Sequence, residues 1–329
     1  MRILLTGASG FVGQAVISRL CGEADVTIRA AFRTRPAHLP DRIEAIAIGD
    51  LGPDTDWCAA VRDVDVVVHC AARVHVMEDS EADPLAAFRR TNVAGTLGLA
   101  RAAAAAGCRR LVFISSIKVN GESTAIGQPF TEMAPPAPQD PYGRSKLEAE
   151  EALFALGRET GMEVVMIRPP LVYGPGVRAN FAAMMRWVAC GIPLPFGAID
   201  NRRSLVGVAN LADLVARCIA HPAAANQVFL AGDGEDVSTT ELLRRVAKAL
   251  GKPARLLPIP QSLIEAAATL AGRKALADRL CGSLQVDIGK ARQVLGWAPP
   301  LSVDEGLRTT AAHFLAGVRR PDGSLVHGK

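Results

Sequence analysis

A chain of 329 residues, 49% of them apolar, is long enough for one large α/β unit with an appended lobe. Its net charge of +4 is small and spread out, which excludes the basic stripe of a nucleic-acid binder and suits an anionic small molecule. Seven scattered cysteines (Cys21, Cys58, Cys70, Cys108, Cys190, Cys218 and Cys281) form no CxxC pair, so reduced thiols in the cytoplasm are expected rather than a disulfide framework or a zinc site. The chain opens directly in a strand pattern, with no basic leader or apolar signal region, and no apolar run reaches membrane length; a protein not inserted in a membrane is expected.

Ile3, Leu4 and Leu5 form an apolar run without polar alternation, as in a strand buried on both faces of a parallel sheet. Gly7, Gly10 and Gly13 recur every third residue after it, and residues 11–20 continue at helical spacing. Strand, glycine turn and helix N-terminus together make an anion site, because free backbone N–H groups and the positive end of the helix dipole point above the turn. The turn Gly7, Ser9, Gly10, Phe11, Val12 and Gly13 is thus the expected cradle of a dinucleotide pyrophosphate.

Residues 26–32 read as the second strand. The residue at its end discriminates between cofactors: an acid bonds a ribose 2′-hydroxyl, whereas arginine accommodates a 2′-phosphate. Arg33 and Arg35 stand there with no acid, which favours NADP(H) over NAD(H). Residues 43–48 form the third strand, ending at Asp50 and Leu51. Residues 57–61 read as a short helix. Residues 65–69 are the fourth strand, and the small residues Cys70, Ala71 and Ala72 before Arg73 let a cofactor lie across its end. His69 and His75 lack a third ligand at workable spacing and read as structural; no metal site is expected. A long helix runs over residues 84–106, and Asn92 on its otherwise apolar face implies a buried hydrogen bond.

Residues 111–115 are the fifth strand and deliver Ser115 and Ser116 to its carboxyl end, the edge where open parallel sheets bind ligands. Residues 118–138, rich in Gly, Pro, Ser and Thr, form a loop over that edge. A helix over residues 141–157 follows, with Tyr142 and Lys146 one turn apart on one face. Residues 163–167 are the sixth strand, ending in Arg168, Pro169 and Pro170. Thereafter helices over 180–190, 210–220, 239–250, 261–270, 287–295 and 304–315 alternate with short strands and prolines. The expected organisation is a dinucleotide-binding domain over 1–170 with a return segment near 204–231, around Val206, a substrate lobe over 171–320, and a mobile tail over 321–329.

Ser116, Tyr142 and Lys146 suit hydride transfer. A carbonyl receiving hydride develops negative charge on oxygen and needs a proton, which a phenol supplies. Lowering a phenol pKa from about 10 toward 7 takes ~4 kcal/mol, and one positive charge ~4 Å away at an effective dielectric of ~20 supplies that much. Lys146 is the expected source of that charge, with oxidised nicotinamide adding more; its ammonium can also hold the nicotinamide ribose, and Ser116 positions the reacting oxygen.

The motifs TGASGFVG, HCAAR, TNVAGT, ISSIKVNG, PYGRSK, RPPLVYGPG and RRSLVGVANLAD, in this order, resemble the extended short-chain dehydrogenase/reductases of the UDP-glucose 4-epimerase-like group over nearly the whole chain. The resemblance implies a Rossmann-type doubly wound α/β fold with a smaller C-terminal substrate lobe. It implies that Asp50 and Leu51 flank the adenine and that Asn92 helps hold the active-site geometry. Pro169 and Pro170 join the cofactor contacts, Lys118 touches substrate, and Asn180 and Arg203 bind the nucleotide diphosphate. It also implies a homodimer through a four-helix bundle built from residues 84–106 and 141–157.

Three departures narrow the choice. Asn120 stands where the family places an aromatic, Ile117 and Lys118 replace the acid pair of 4,6-dehydratases, and the ribose acid is missing. AARVHVM and SSIKVNGE further resemble bacterial O-antigen enzymes that reduce UDP-4-keto-6-deoxy-N-acetylglucosamine to UDP-N-acetylquinovosamine. The expected activity is ketone–alcohol interconversion at C4 of a UDP-sugar, reductive and NADPH-dependent. A UDP-glucose or UDP-N-acetylglucosamine 4-epimerase with retained NAD is the alternative. An idle NADP-sensing protein and a reductase of steroid or flavonoid ketones are the more distant readings.

Overall fold

The computed structural model describes residues 1–34, 42–74 and 83–318. Arg35, His75 and the tail from residue 319 lie outside the described residues. The strands are β1 (Arg2–Thr6), β2 (Thr27–Phe32), β3 (Ile43–Ala47), β4 (Val66–His69), β5 (Arg110–Ile114), β6 (Glu163–Arg168), β7 (Leu171–Tyr173), β8 (Arg203–Gly207), β9 (Gln227–Leu230) and β10 (Asp236–Val237). The α-helices are α1 (Phe11–Leu20), α2 (Pro84–Phe88), α3 (Thr96–Ala105), α4 (Pro141–Thr160), α5 (Ala179–Ala189), α6 (Val208–Ala220), α7 (Thr239–Ala249), α8 (Gln261–Leu270), α9 (Lys274–Cys281), α10 (Gly289–Leu295) and α11 (Val303–Val318).

Seven strands form one sheet in the order β3-β2-β1-β4-β5-β6-β9, and every neighbouring pair is parallel. The apolar runs of β1, β4, β5 and β6 are continuous because both faces are covered. Ile3, Leu5, Val66, Val68, Val112 and Val165 join one core with residues of α1 and α6. Leu4, Val67, Leu111, Phe113 and Met166 join the other with residues of α3 and α4. The strand order reverses between β1 and β4, which opens a crevice at their carboxyl ends. This is the doubly wound architecture expected from the sequence.

Buried Arg110 ties the layers together. Its Nη1 donates to the carbonyls of Cys218, Ile219 and His221 at the C-terminus of α6, and its Nε bonds Glu163 at 2.6 Å. A cation there satisfies the last helix carbonyls and complements the dipole.

The second lobe is built on a three-stranded sheet, order β10-β8-β7, with β7 and β8 parallel and β10 antiparallel. Tyr173, Phe181, Met185, Leu205, Val237, Leu243, Val246 and Leu307 form its core.

Three expectations are corrected. Residues 57–61 make only a turn, with a single Val61 N–H to Trp57 carbonyl bond, although Asp56 accepts the Cys58 N–H as an N-cap would; the positive φ of Asp63 stops the chain from continuing as a helix. The helix expected over 84–106 is interrupted by a π-helical stretch, Arg89–Gly95, between α2 and α3. The return segment expected near 204–231 does rejoin the large sheet, but through β9 beside β6 and not at Val206, which lies in β8.

Candidate active site

The crevice is lined first by the glycine turn after β1. Gly7 adopts φ +69°, and a Cβ there would lie 2.7 Å from the Ala71 nitrogen. At Gly13 a Cβ would lie 2.1 Å from the Gly7 carbonyl oxygen, so only glycine lets α1 start this close to the turn. Ser9 and Gly10 are exposed, Phe11 and Val12 half-buried, and no side chain caps the N-terminus of α1. Among the described residues, its first N–H groups thus receive no side-chain cap at the crevice.

His69 sets the opposite wall. Its Nδ1 meets Thr6 Oγ1 at 2.6 Å, its Nε2 meets Thr96 Oγ1 at 2.9 Å, and it stacks on Phe113. Burial and then the Lys146 charge pull its pKa down to about 3, so the ring is a neutral brace between β1, β4 and α3. Thr6 Oγ1 also receives the Ala71 N–H at 3.3 Å. Cys70, Ala71, Ala72 and Arg73 follow along the crevice, all half-buried, and burial pushes the Cys70 thiol up to about 12.

Asn92, 1% exposed, fastens that segment to α4. Its Oδ1 accepts the Arg73 N–H at 2.8 Å, and its Nδ2 donates to the Arg73 carbonyl and to Ser145 Oγ, each at 3.0 Å. Ser145 in turn donates to the Tyr142 carbonyl at 2.8 Å. Asn92 sits in the π-helical stretch, a form often found where a helix presents a functional side chain.

Ser116, Tyr142 and Lys146 come together at the carboxyl end of β5. Ser116 caps the turn Ile117–Val119, its Oγ accepting the Lys118 N–H at 3.2 Å, and its hydroxyl lies close enough to the Tyr142 phenol to favour the phenolate. Lys146 Nζ lies 6.0 Å from the Tyr142 ring centroid, donates to the Ile114 carbonyl at 2.8 Å and sits 4.3 Å above Phe113. Burial pulls the ammonium down to about 8, opposed by Glu150 and Cys70.

In the protein alone, without the nicotinamide charge, the Tyr142 pKa is not lowered. Burial pushes the phenol up to about 12 and the Asp140 carboxylate adds to this, outweighing the Ser116 hydroxyl. The Lys146 ammonium, bonded to the Ile114 carbonyl, is not among the influences that set this value. A phenol held this way keeps its proton at neutral pH and is equipped to donate it.

The remaining predicted residues fall around this centre. Arg33 follows β2, its side chain 82% exposed and 3.9 Å from the still more exposed Asp50. Leu51 packs on Gly95, where a Cβ would come within 3.0 Å of its Cγ. Pro169 and Pro170 are buried beyond β6, and the Pro169 carbonyl accepts the Ile117 N–H at 3.0 Å. Lys118 pairs with Asp140 and with Glu122, the latter at 2.9 Å, so its ammonium is engaged beside the catalytic candidates. Asn180 is exposed in the first turn of α5, whose N-terminus has no side-chain cap. Arg203 Nη1 donates to the carbonyls of Arg279 and Gly282 at 3.0 and 2.9 Å, which fixes it on β8 against the end of α9.

Sequence reasoning missed two supports. Asp140 caps α4 through the Gly143 N–H at 2.6 Å while facing Tyr142, signalled by an acid directly before Pro141. Arg168, Glu150 and Asn120 form a buried network beneath Lys146: Arg168 Nε to Glu150 Oε1 is 2.9 Å and Arg168 Nη1 to Asn120 Oδ1 is 3.0 Å. Asn120 is thus an interior partner, not a wall of the sugar site.

The crevice fits a dinucleotide: a glycine cradle that a Cβ would fill and, among the described residues, an uncapped helix N-terminus; at the carboxyl end of β5 the buried Ser115 Oγ has no partner among the described residues. Among the described residues no group of three or more His, Cys, Asp or Glu is placed to hold a metal ion. Residues 3–232 match the sequence profile of the NAD dependent epimerase/dehydratase family. The chain belongs to that family. Among curated relatives of this epimerase/dehydratase family member, a Vibrio cholerae protein named UDP-glucose 4-epimerase is 49% identical over 97% of each chain. Among solved structures, the UDP-glucose 4-epimerase of Thermus thermophilus with NAD is 25% identical, covers 97% of this chain and 100% of its own, and superposes with a TM-score of 0.76. The UDP-glucuronic acid 4-epimerase of Bacillus cereus with NAD, 22% identical over 96% and 99% of the two chains, has the same fold at a TM-score of 0.78.

Proposed function

We propose that this chain interconverts ketone and alcohol at C4 of a UDP-sugar. The observation that carries the reading is the convergence of Ser116, Tyr142 and Lys146 beside the glycine cradle, in a chain so similar to a named UDP-glucose 4-epimerase. When bound, the nicotinamide would take up or deliver a hydride at C4. Tyr142 holds the proton that passes to or from O4, and Ser116 fixes that oxygen by a hydrogen bond. Lys146 places a buried positive charge near the phenol and stabilises its anion when the proton has moved. Asn92 keeps the helix bearing Tyr142 in register with the Arg73 segment. Asn180, at an uncapped helix start, and Arg203, anchored by two carbonyls, are assigned to the nucleotide diphosphate, and Lys118 to the rim of the sugar site.

The V. cholerae relative favours 4-epimerisation, in which the same carbon is oxidised and reduced again on a retained cofactor. Arg33 favours a second reading: NADPH-dependent reduction of UDP-4-keto-6-deoxy-N-acetylglucosamine to UDP-N-acetylquinovosamine, within O-antigen precursor synthesis. Its guanidinium is exposed at the end of β2, where a 2′-phosphate would lie, and no acid follows that strand. Supplying the purified protein with UDP-glucose, UDP-N-acetylglucosamine or the 4-keto sugar plus NADPH tests both. Epimerised product with no net cofactor use supports the first, stoichiometric NADPH oxidation the second, and neither product with any UDP-sugar rejects the assignment. The reading includes a homodimer through α3 and α4, which lie side by side; sedimentation velocity tests it.

A further inference from the structure

Helix α8 is amphipathic in the wrong sense for a packed helix. Leu263, Ala266, Ala267 and Leu270, at positions i, i+3, i+4 and i+7, form one apolar stripe, and all four are exposed. Leu263 is 59% and Leu270 91% exposed, and no residue of α8 is buried. The half-buried side is the one carrying Gln261, Ile264 and Ala268. A ten-residue helix with this little packing is marginal in water by itself. Further apolar residues stand on the adjoining chain. The pairing of Leu194 with Leu256 and of Ala198 with Pro260 brings the segment after α5 alongside the entry to α8, and exposed Trp187, Ile192 and Leu257 lie there.

The chain flanking the stripe is mostly basic. Between residues 248 and 274 there are five basic residues, Lys248, Lys252, Arg255, Arg273 and Lys274, and one acid, Glu265. All five are exposed. Two copies of this chain meeting through α8 would bring like charges together. An anionic surface with an apolar interior meets both the stripe and its basic collar.

We propose that α8 and its flanks dock this protein on the surface of an anionic phospholipid bilayer. The apolar stripe enters the boundary between headgroups and acyl chains, while Lys252, Arg255, Arg273 and Lys274 remain at headgroup level. The attachment is peripheral, since no described helix is long and apolar enough to cross a membrane.

The test is co-sedimentation of the full chain with vesicles of phosphatidylcholine alone or mixed with phosphatidylglycerol. Binding is expected only to the anionic vesicles and is expected to weaken steeply with added salt. Replacing both Arg273→Gln and Lys274→Gln should lower partitioning about thirtyfold, at a loss of ~1 kcal/mol per charge. Leu263→Gln with Leu270→Gln should abolish it while leaving the thermal unfolding midpoint unchanged, because neither side chain is in the core. No binding to anionic vesicles overturns the proposal. So does equal binding to both vesicle types, or a lipid-free self-association that Leu263→Gln with Leu270→Gln reduces to a smaller species, which would assign the stripe to a second copy. The readout needs no substrate, so it stands apart from the C4 chemistry proposed above.

Discussion

Replacing Asn92→Ala removes three hydrogen bonds of 2.8, 3.0 and 3.0 Å at a site 1% exposed. Each is worth about 0.5–1.5 kcal/mol net, and the Arg73 N–H and carbonyl lose their side-chain partner in a half-buried segment, so the variant should be about 3 kcal/mol less stable. Urea unfolding should show this as a midpoint about 1 M lower at unchanged slope. Ser145 retains its bond to the Tyr142 carbonyl, so α4 itself should persist, while the Arg73 segment loosens along the crevice. Cofactor affinity, measured by calorimetry, should therefore fall with stability. Asn92→Asp keeps the acceptor for the Arg73 N–H but loses both donors and buries a charge, and should be no better than alanine. A loss below about 1 kcal/mol together with unchanged cofactor affinity would refute the bracing role.

Gly13→Ala drives a Cβ to 2.1 Å from the Gly7 oxygen; about 2 kcal/mol of stability and most dinucleotide binding should be lost, as read by thermal shift with and without NAD(P). Tyr142→Phe should lower turnover by roughly 10²–10⁴ while leaving cofactor affinity intact, measured by stopped-flow and calorimetry. Glu150→Ala strands the Arg168 guanidinium among side chains 6% exposed or less and should cost about 3–5 kcal/mol in denaturant, more than removing any surface pair. Lys146 has a folded pKa of about 8 against an ordinary 10.5, so between these values the unfolded chain holds a proton that the native chain has released. Stability should accordingly rise with pH across that window, by roughly 3 kcal/mol, and Lys146→Met should flatten the rise. Turnover should meanwhile decline above about pH 8 as the ammonium is lost.

Much of the large sheet was legible in the sequence because its strands are buried on both faces and read as unbroken apolar runs, as in Ile3–Leu5 or Val66–Val68. The glycine turn and the Ser116, Tyr142 and Lys146 spacing were equally legible, since each depends on local geometry. What depends on tertiary placement was not. Nothing in TNVAGT reveals that Asn92 sits in a π-helical turn, because the extra residue per turn is accommodated by packing on α4. The raised proton affinity of Tyr142 arises from burial and from Asp140, whereas spacing alone directs attention to Lys146. β9 was obscured because four residues, QVFL, between two helices look like any lobe strand until β6 supplies a partner.

That late strand has a consequence for how the chain is made. Until residue 230 has left the ribosome, β6 presents Val164, Val165, Met166 and Ile167, each 0% exposed in the finished protein, along an open backbone rim. A chain cut at residue 170 would lack β9 and leave the β6 edge unpaired. Nascent or truncated chains of that length carry a template for intermolecular strand addition, and quality control of this enzyme hinges on a segment encoded well past the halfway point of its message.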